Sequence, residues 1–113
     1  MKHVIAFIKP HQLSPVAIGL RDIPGLTGLS IGKGQGFGRG RARSAAHRIV
    51  EDQMSYIPHA RLEVFCGDDR LEEVLSCIAV KARTGLSGDG KIYVTEVVEA
   101  VRISNSERGS SAI

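Results

Sequence analysis

The sequence predicts an α+β domain in which an antiparallel four-stranded sheet carries two helices on one face. Strand-like and helix-like segments alternate along the chain in the order β-α-β-β-α-β. Apolar residues in the two helical segments recur every three or four positions, and proline and glycine mark the segment ends. With 113 residues, the chain is expected to form a single domain over residues 1–113.

The first half of the chain predicts a strand, a helix and a second strand. Residues 3–9 are apolar and β-branched, and a proline ends this strand. Ser14 and Pro15 are typical of an N-cap and a first helical position, and the Pro-Gly pair at 24–25 ends the helix. Residues 28–33 are predicted to form the second strand. The apolar stripe of the helix consists of Leu13, Val16, Ala17, Leu20 and Ile23.

The second half repeats this order. Residues 61–66 alternate in the manner of a half-buried strand. Asp69 and Glu72 have the spacing of a capping box, with aspartate in place of serine or threonine, so a helix is expected to begin here. A last strand covers residues 91–98, which completes the order of a ferredoxin-like domain. The apolar stripe of the second helix consists of Leu71, Val74, Leu75, Ile78, Ala79 and Ala82.

Residues 38–58 show neither a helical nor a strand period. A loop of about 20 residues greatly exceeds the usual four to six, so this segment is either functional or a misread element. Residues 43–54 could form a short helix. Five Lys or Arg residues and no acidic residue occur between positions 33 and 48, interleaved with glycines. Such a segment could contact a phosphate, an RNA backbone or an acidic protein surface, or it could be a solvated loop.

The strongest functional motif is the glycine loop, residues 84–91, which runs directly into the last strand. Its glycines allow an anion to approach successive backbone N–H groups, and Lys91 adds a positive charge. The pattern is typical of phosphate binding and hence of a nucleotide site. The alternative is a tight turn with Asp89 and Gly90 at its apex.

Composition limits the class of protein. The net charge of +3, the 4% aromatic content and the absence of tryptophan disfavour nucleic-acid binding, so no nucleic-acid partner is expected. Cys66 and Cys77 lack metal-type spacing and are expected to be reduced thiols. The N-terminus shows no signal-peptide pattern, and no apolar run approaches a membrane span, so a cytoplasmic protein is expected.

Several segments carry a family resemblance that covers nearly the whole chain. They are residues 1–10, 26–30, 36–39, 61–64 and 84–94, together with Arg102-Ile103 and Ala112-Ile113. These segments resemble the PII signal-transduction proteins, the nitrogen regulatory protein P-II family, with Tyr93 where Phe or Trp is usual. The resemblance implies a homotrimer that binds ATP or ADP in clefts between subunits. It also implies a partner-binding T-loop at about residues 38–58, a nucleotide loop at 84–91 and a C-terminal tail at 102–113.

The resemblance further implies which residues bind the nucleotide. Those near the adenine would be Gly28, Leu29, Ser30, Glu63 and Phe65. Those at the phosphates would be Gly36, Gly38, Arg39, Gly88, Asp89, Gly90, Lys91 and Arg102, and Thr84 belongs to the same set. Glu63 and Arg39 could instead be solvated side chains. No catalytic or metal-binding residue is expected, and a requirement for magnesium is left open.

The chain departs from the family pattern at four positions. Asp52 stands where the family has the tyrosine that is uridylylated, which excludes that modification here. Gly40 and His59 replace the glutamine and lysine that help to bind magnesium and 2-oxoglutarate, so weak or absent 2-oxoglutarate binding is expected. Ser104 replaces an arginine, a loss of roughly 1.5–3 kcal/mol that should weaken triphosphate binding about tenfold or more. The site is therefore expected either to prefer ADP or AMP over ATP or to depend on another ligand.

The resemblance implies an enzyme regulator. Adenine nucleotide would order the loop at 38–58, which then binds or releases an unidentified partner, either an enzyme, a transporter or a regulator, in nitrogen metabolism or in membrane transport such as metal efflux. A slow ATPase is disfavoured because the sequence shows no activated nucleophile or paired acid and base beside the glycine loop. A metal site formed by His47, Glu51, Asp52 and His59 is a minor alternative.

Overall fold

The protein forms a four-stranded antiparallel sheet with two helices packed on one face. A computed structural model of the chain describes residues 1–37 and 56–113. Across the sheet the strands lie in the order β2-β3-β1-β4, which confirms the predicted ferredoxin-like α+β fold. The elements are β1 (Lys2–Ile8), α1 (Leu13–Arg21), β2 (Ser30–Gly36), β3 (Ile57–Cys66), α2 (Leu71–Ala82) and β4 (Gly90–Glu96).

The strand register brings four chain segments together at one end of the sheet. Ile8, at the end of β1, lies opposite Ala60 of β3 on one side and Gly90 of β4 on the other. Gly36, at the end of β2, lies opposite Ile57 at the start of β3. The glycine loop therefore meets, at this end of the sheet, the two segments that flank residues 38–55.

The hydrophobic core lies between the sheet and the two helices. Full burial of a side chain such as Leu62 stabilises the fold by about 1.5–3 kcal/mol. The helices also pack closely on each other, because a Cβ at Gly19 of α1 would lie 2.7 Å from the Sγ of Cys77 on α2. The buried apolar residues are Val4, Ala6, Ile8, Val16, Leu20, Ile23, Ala60, Leu62, Val64, Cys66, Val74, Ile78 and Ala82.

Neither α1 nor α2 covers the opposite side of the sheet, the open face. Phe65 and Tyr93 lie there and remain 46% and 53% exposed. Phe65 stacks on His3 with the ring centroids 4.5 Å apart, and Phe7 meets Tyr93 edge-on at 6.2 Å. Ile5 lies between His3 and Phe7 on the same face of β1, opposite Tyr93 of β4. Within residues 1–37 and 56–113, this face is thus an aromatic and aliphatic surface that stays partly exposed.

The strand ends differ from the predicted ones. The second strand, predicted at 28–33, is Ser30–Gly36; the third begins at Ile57 instead of residue 61; the last, predicted at 91–98, is Gly90–Glu96. Backbone pairing explains why β2 continues to Gly36 and β3 begins at Ile57. The two strands pair with each other over this stretch, even though β2 is rich in glycine. The helix considered at 43–54 lies outside the described residues.

The helix starts also differ from prediction. Ser14 is not an N-cap, and the capping box of Asp69 and Glu72 does not form: the caps are Gln12 and Arg70, neither of which makes a side-chain cap hydrogen bond. A short 3-10 turn precedes each helix and is closed by a backbone hydrogen bond. These turns lead directly into the helices, so part of the backbone at each start is already paired.

Both helices are short, at nine residues in α1 and 12 in α2. A helix that crosses a bilayer needs about 20 apolar residues. Within residues 1–37 and 56–113, no helix reaches the length and apolar character needed for a membrane span.

Candidate functional site

A cleft of about 660 Å³ opens at the end of the sheet where the four segments meet. This volume is in the range of small-molecule sites. Aromatic and aliphatic side chains form most of its walls, and the polar groups come mainly from the glycine loop and His59. The lining residues are Phe7, Ile8, Lys9, Gly36, Phe37, Ile57, Pro58, His59, Gly88, Asp89, Gly90, Lys91 and Tyr93.

The carboxylate of Asp89 fixes the shape of the glycine loop. Its Oδ2 accepts hydrogen bonds from the backbone N–H groups of Thr84, at 2.9 Å, and Gly85, at 3.0 Å. Its Oδ1 accepts the hydroxyl of Thr84, and that hydroxyl oxygen in turn accepts the N–H of Leu86 at 3.2 Å. The loop is therefore held in one arrangement by its own residues.

Lys9 joins the glycine loop to the end of β1. This lysine is only 8% exposed, and its Nζ donates to the Thr84 hydroxyl at 2.8 Å and lies 3.0 Å from Asp89 Oδ1. The Thr84 hydroxyl, together with backbone N–H groups and the Lys9 ammonium, holds the pKa of Asp89 well below its usual range. Sequence reasoning placed Lys9 only at the end of a strand. A lysine at the end of a buried apolar run was the available signal, because its ammonium must find a partner.

Gly90 marks the point where the glycine loop enters β4 against β1. Its φ is +105°, and a Cβ at this position would lie 1.7 Å from the carbonyl oxygen of Phe7. That oxygen belongs to the backbone and cannot turn aside, so only glycine fits. Gly85 and Gly88 also have positive φ, at +81° and +82°.

One side of the cleft presents groups suited to an anion. Within residues 1–37 and 56–113, no group accepts a hydrogen bond from the backbone N–H of Gly88 or Asp89. In the same part of the chain, Lys91 has no carboxylate within 4.0 Å. Because the Asp89 charge is matched by Lys9, the Lys91 charge remains available to a ligand.

The structure brings together part of the predicted nucleotide-binding set. Gly36, Gly88, Asp89, Gly90 and Lys91 all line the cleft. Thr84 lies behind them, bonded to Asp89. Since the side chains of Thr84 and Asp89 already bond to each other and to Lys9, direct contact of either with a ligand stays a prediction.

The residues predicted near the adenine lie elsewhere in the same chain. Ser30 pairs with Glu63 in the β2–β3 ladder, with Gly28 and Leu29 just before it and Phe65 two residues further along β3. Strands β2 and β4 are separated by β3 and β1, so Ser30 lies three strand spacings, about 14 Å, from β4. Ser30 also lies at the opposite end of β2 from Gly36, which lines the cleft, so the described part of one chain keeps the two predicted ends of the nucleotide site apart.

Glu63 and Arg102 each have a partner within the chain. Glu63 accepts a hydrogen bond from Arg61 at 2.8 Å and lies 3.4 Å from the ring of His3. Arg102 donates to Glu107 at 2.8 Å and to the carbonyl oxygen of Ser111 at 2.9 Å, within the C-terminal tail. Arg102 does not line the cleft of its own chain.

Several positions from the sequence analysis lie outside the described residues: Gly38, Arg39, Gly40, His47, Glu51 and Asp52. Predictions about the phosphates, uridylylation and a metal at these positions stay predictions. In the part of the chain that the structure describes, no group of three His, Cys, Asp or Glu residues could hold a metal ion.

Aromatic residues of the cleft were missed by sequence reasoning. Phe7 meets the ring of His59 edge-on at 5.3 Å and that of Tyr93 at 6.2 Å. Phe37 and Tyr56 lie with their ring centroids 6.4 Å apart where the described chain stops and resumes. Alternation along each strand was visible in the sequence, but the register that brings three strands' aromatics together was not.

The fold and the cleft define an α+β domain with a pre-shaped glycine loop and an available lysine beside an aromatic pocket. Comparison with known proteins gives its family. The family model of the nitrogen regulatory protein P-II matches residues 1–107. The chain is 37% identical over 113 residues, the full length of both proteins, to the nitrogen regulatory protein P-II of Bradyrhizobium diazoefficiens and to that of Azospirillum brasilense.

A further relative is the nitrogen regulatory protein GlnK of Escherichia coli, which is 35% identical over 113 residues and the full length of both chains. The family match and these relatives cover most or all of the chain. The protein therefore belongs to the nitrogen regulatory protein P-II family of signalling proteins, and the resemblance stated from the sequence is confirmed.

Gly90→Ala should destabilise the protein by more than about 2 kcal/mol, because the new Cβ meets the backbone of Phe7 and the residue is held at positive φ. Gly85→Ala is the matched control, with positive φ but no atom within 4 Å of its Cβ, and should cost about 1–2 kcal/mol. Urea unfolding measures both. Equal losses in the two variants would show that the contact with Phe7 has no effect.

Asp89→Asn should reduce stability at neutral pH and remove part of its acid dependence. The lowered pKa of Asp89 means that its contribution is fully present above the unfolded value of about 3.9 and is lost as the pH falls further, towards the folded pKa. In urea unfolding, the advantage of wild type over the variant should be constant between about pH 5 and 8 and shrink below about pH 4. An advantage that stays constant down to about pH 2.5 would contradict this assignment.

Proposed function

We propose that the protein is a PII-type regulator that binds ADP or ATP with the phosphates against the glycine loop and controls a partner protein through residues 38–58. The observation that supports this most directly is the pairing of Asp89 with Lys9, which leaves Lys91 as an available positive charge among the described residues of the cleft. The family membership makes a regulatory role the expected one.

Phosphate binding follows from the chemistry of the glycine loop. Hydrogen bonds from Lys91 and from the N–H groups of Gly88 and Asp89 to a phosphate are charge-assisted, and each contributes roughly 1.5–3 kcal/mol. The loop is already ordered by the Asp89 carboxylate, so binding requires little further loss of conformational freedom.

The site favours a diphosphate over a triphosphate in this proposal. Ser104 stands where the family pattern has an arginine, and Arg102 is held by Glu107 and Ser111 in the tail. A third phosphate would therefore add charge without a matching fixed cation among these residues. We propose ADP as the preferred ligand and leave AMP, ATP and a magnesium requirement as outcomes of the binding experiment.

We infer that the functional unit is a homotrimer with the nucleotide sites between subunits. The open face leaves Phe65 and Tyr93 about half exposed, which favours contact with another copy. The residues predicted near the adenine lie about 14 Å from β4 within one chain, and a neighbouring subunit can bring the missing part of the site closer.

We infer that a ligand acts on the partner through the base of the segment 38–55. Phe37 and Ile57 both line the cleft, and Phe37 lies near Tyr56. A ligand that fills the cleft would therefore meet the residues from which that segment leaves and to which it returns. A ligand shifts the arrangement of the segment only through such differential contacts. The partner can be an enzyme, a transporter or a regulator.

A regulatory role also fits the side chains of the cleft better than a catalytic one. Among the described lining residues the one carboxylate, Asp89, is held by Thr84, Gly85 and Lys9. General-base catalysis needs a group free to take a proton from water or substrate, and His59, the described lining residue suited to this, has no free carboxylate or nucleophile paired with it. We therefore do not propose an enzyme.

Lys91→Gln should weaken ADP binding about tenfold or more, since one charge-assisted contact is lost. Lys33→Gln removes the same charge from β2, outside the cleft, and should leave the affinity within about twofold. Isothermal calorimetry with ADP and ATP measures both variants. Absence of binding by wild type would contradict the proposed function, and equal weakening by both variants would indicate only a general charge effect.

Phe65→Asp should convert the proposed trimer into smaller species, because it places a charge on the open face, where the Phe65 ring stacks on His3. Val80→Asp is the control, as Val80 is 63% exposed on α2 and should tolerate the charge. Sedimentation equilibrium gives the masses, and circular dichroism tests whether each variant is folded. A wild-type protein of single-chain mass, or an unchanged mass for a folded Phe65→Asp variant, would contradict this assembly.

A further inference from the structure

The imidazole of His59 is seated in the cleft by a glycine on the neighbouring strand. His59 lies opposite Gly34 in the β3–β2 ladder, and its ring lies over the Gly34 backbone. A Cβ at Gly34 would be 2.5 Å from Nε2 and 3.0 Å from Cε1 of the ring. A side chain at position 34 would therefore displace the ring from its present place.

A second neighbour fixes the ring from the other side. The ring of Phe7 on β1 meets the His59 ring at 80°, with the centroids 5.3 Å apart. Both rings line the cleft, and His59 is half-buried. Within the described residues, neither ring nitrogen of His59 has a hydrogen-bond partner, in contrast to the saturated Asp89. Gly34 and Phe7 thus fix the position of the imidazole, while its two nitrogens make no hydrogen bond within the described residues.

Within the described residues, no carboxylate oxygen lies within 4.0 Å of a ring nitrogen of His59. Around His59, β2 presents Gly32, Gly34 and Gly36 on this face, and β1 presents Phe7, with Lys9 beyond it paired to Asp89. On β3, the next residue on the same face is Arg61, which is bonded to Glu63. From β4, Lys91 lines the same cleft. A proton on His59 would add a second cation to that of Lys91.

We propose that His59 is a specificity-determining residue that supplies a proton-dependent second cation to the phosphate site, so that the affinity for a nucleoside diphosphate depends on pH. This inference depends on the proposed nucleotide binding. Histidine side chains change charge between about pH 5 and 8, whereas lysine stays charged throughout that range. Neutral His59 leaves Lys91 alone against the phosphates, and protonated His59 strengthens the same site.

The first experiment compares ADP affinity at about pH 5.5 and about pH 8 by isothermal calorimetry in wild type, His59→Gln and His59→Lys. The ligand's own phosphate titration is common to all three proteins, so only differences between them are interpreted. Wild type should gain about tenfold more affinity on acidification than His59→Gln. At the higher pH, His59→Lys should bind ADP about tenfold more tightly than wild type, and at the lower pH the two proteins should bind it about equally.

The second experiment tests the seat of the ring. Gly34→Ala should reduce the pH response of ADP affinity towards that of His59→Gln, because the new methyl group displaces the imidazole. Gly32→Ala is a matched control on the same strand and face, where a Cβ meets nothing within 4 Å, and it should keep the wild-type response. Circular dichroism confirms that both variants are folded.

The outcomes separate the two proposals. No ADP binding by wild type at either pH overturns both the nucleotide site and this inference. Binding with the same pH response in wild type and His59→Gln overturns the role of His59 and leaves the nucleotide site standing. A full response in folded Gly34→Ala overturns the assignment of Gly34 as the seat of the ring.

Discussion

The pairing of Lys9 with Asp89 and Thr84 is the interaction on which the candidate site depends. It fastens the glycine loop to the end of β1, and it does so with a buried ammonium that would be costly without these partners. The same contact uses up the Asp89 charge, which would otherwise repel an anion from the cleft. Loop shape and cleft electrostatics therefore have one physical origin.

The sheet register supplies the second constraint. Because the end of β1 lies between the starts of β3 and β4, Phe7, His59 and Tyr93 reach one cleft from three strands. Glycines allow the backbone to come this close, at Gly90 against Phe7 and at Gly34 under His59. The cleft is thus formed where a ring on one strand, Phe7 or His59, lies beside a glycine on the neighbouring strand.

Local pattern was enough to predict the layer structure. The stripe containing Val74 and Ile78 is buried, and the alternation through Leu62 and Val64 separates the core from the open face, as periodicity alone indicated. Strand ends and helix caps were harder, since they depend on partners: β3 extends back to Ile57 only because β2 is there to pair with it. Lys9 illustrates the same limit at the site, as its partner lies 80 residues away along the chain at Asp89.

The pairing of Gly36 with Ile57 has a consequence for how this chain can change over time. It holds the two ends of the intervening segment side by side through backbone hydrogen bonds, which do not depend on the side chains between them. The entropy of closing such a loop grows only with the logarithm of its length, about 0.6 kcal/mol for each doubling. Sequence drift or insertion between these positions thus costs the sheet little, and the segment can diverge while the cleft at its base is kept.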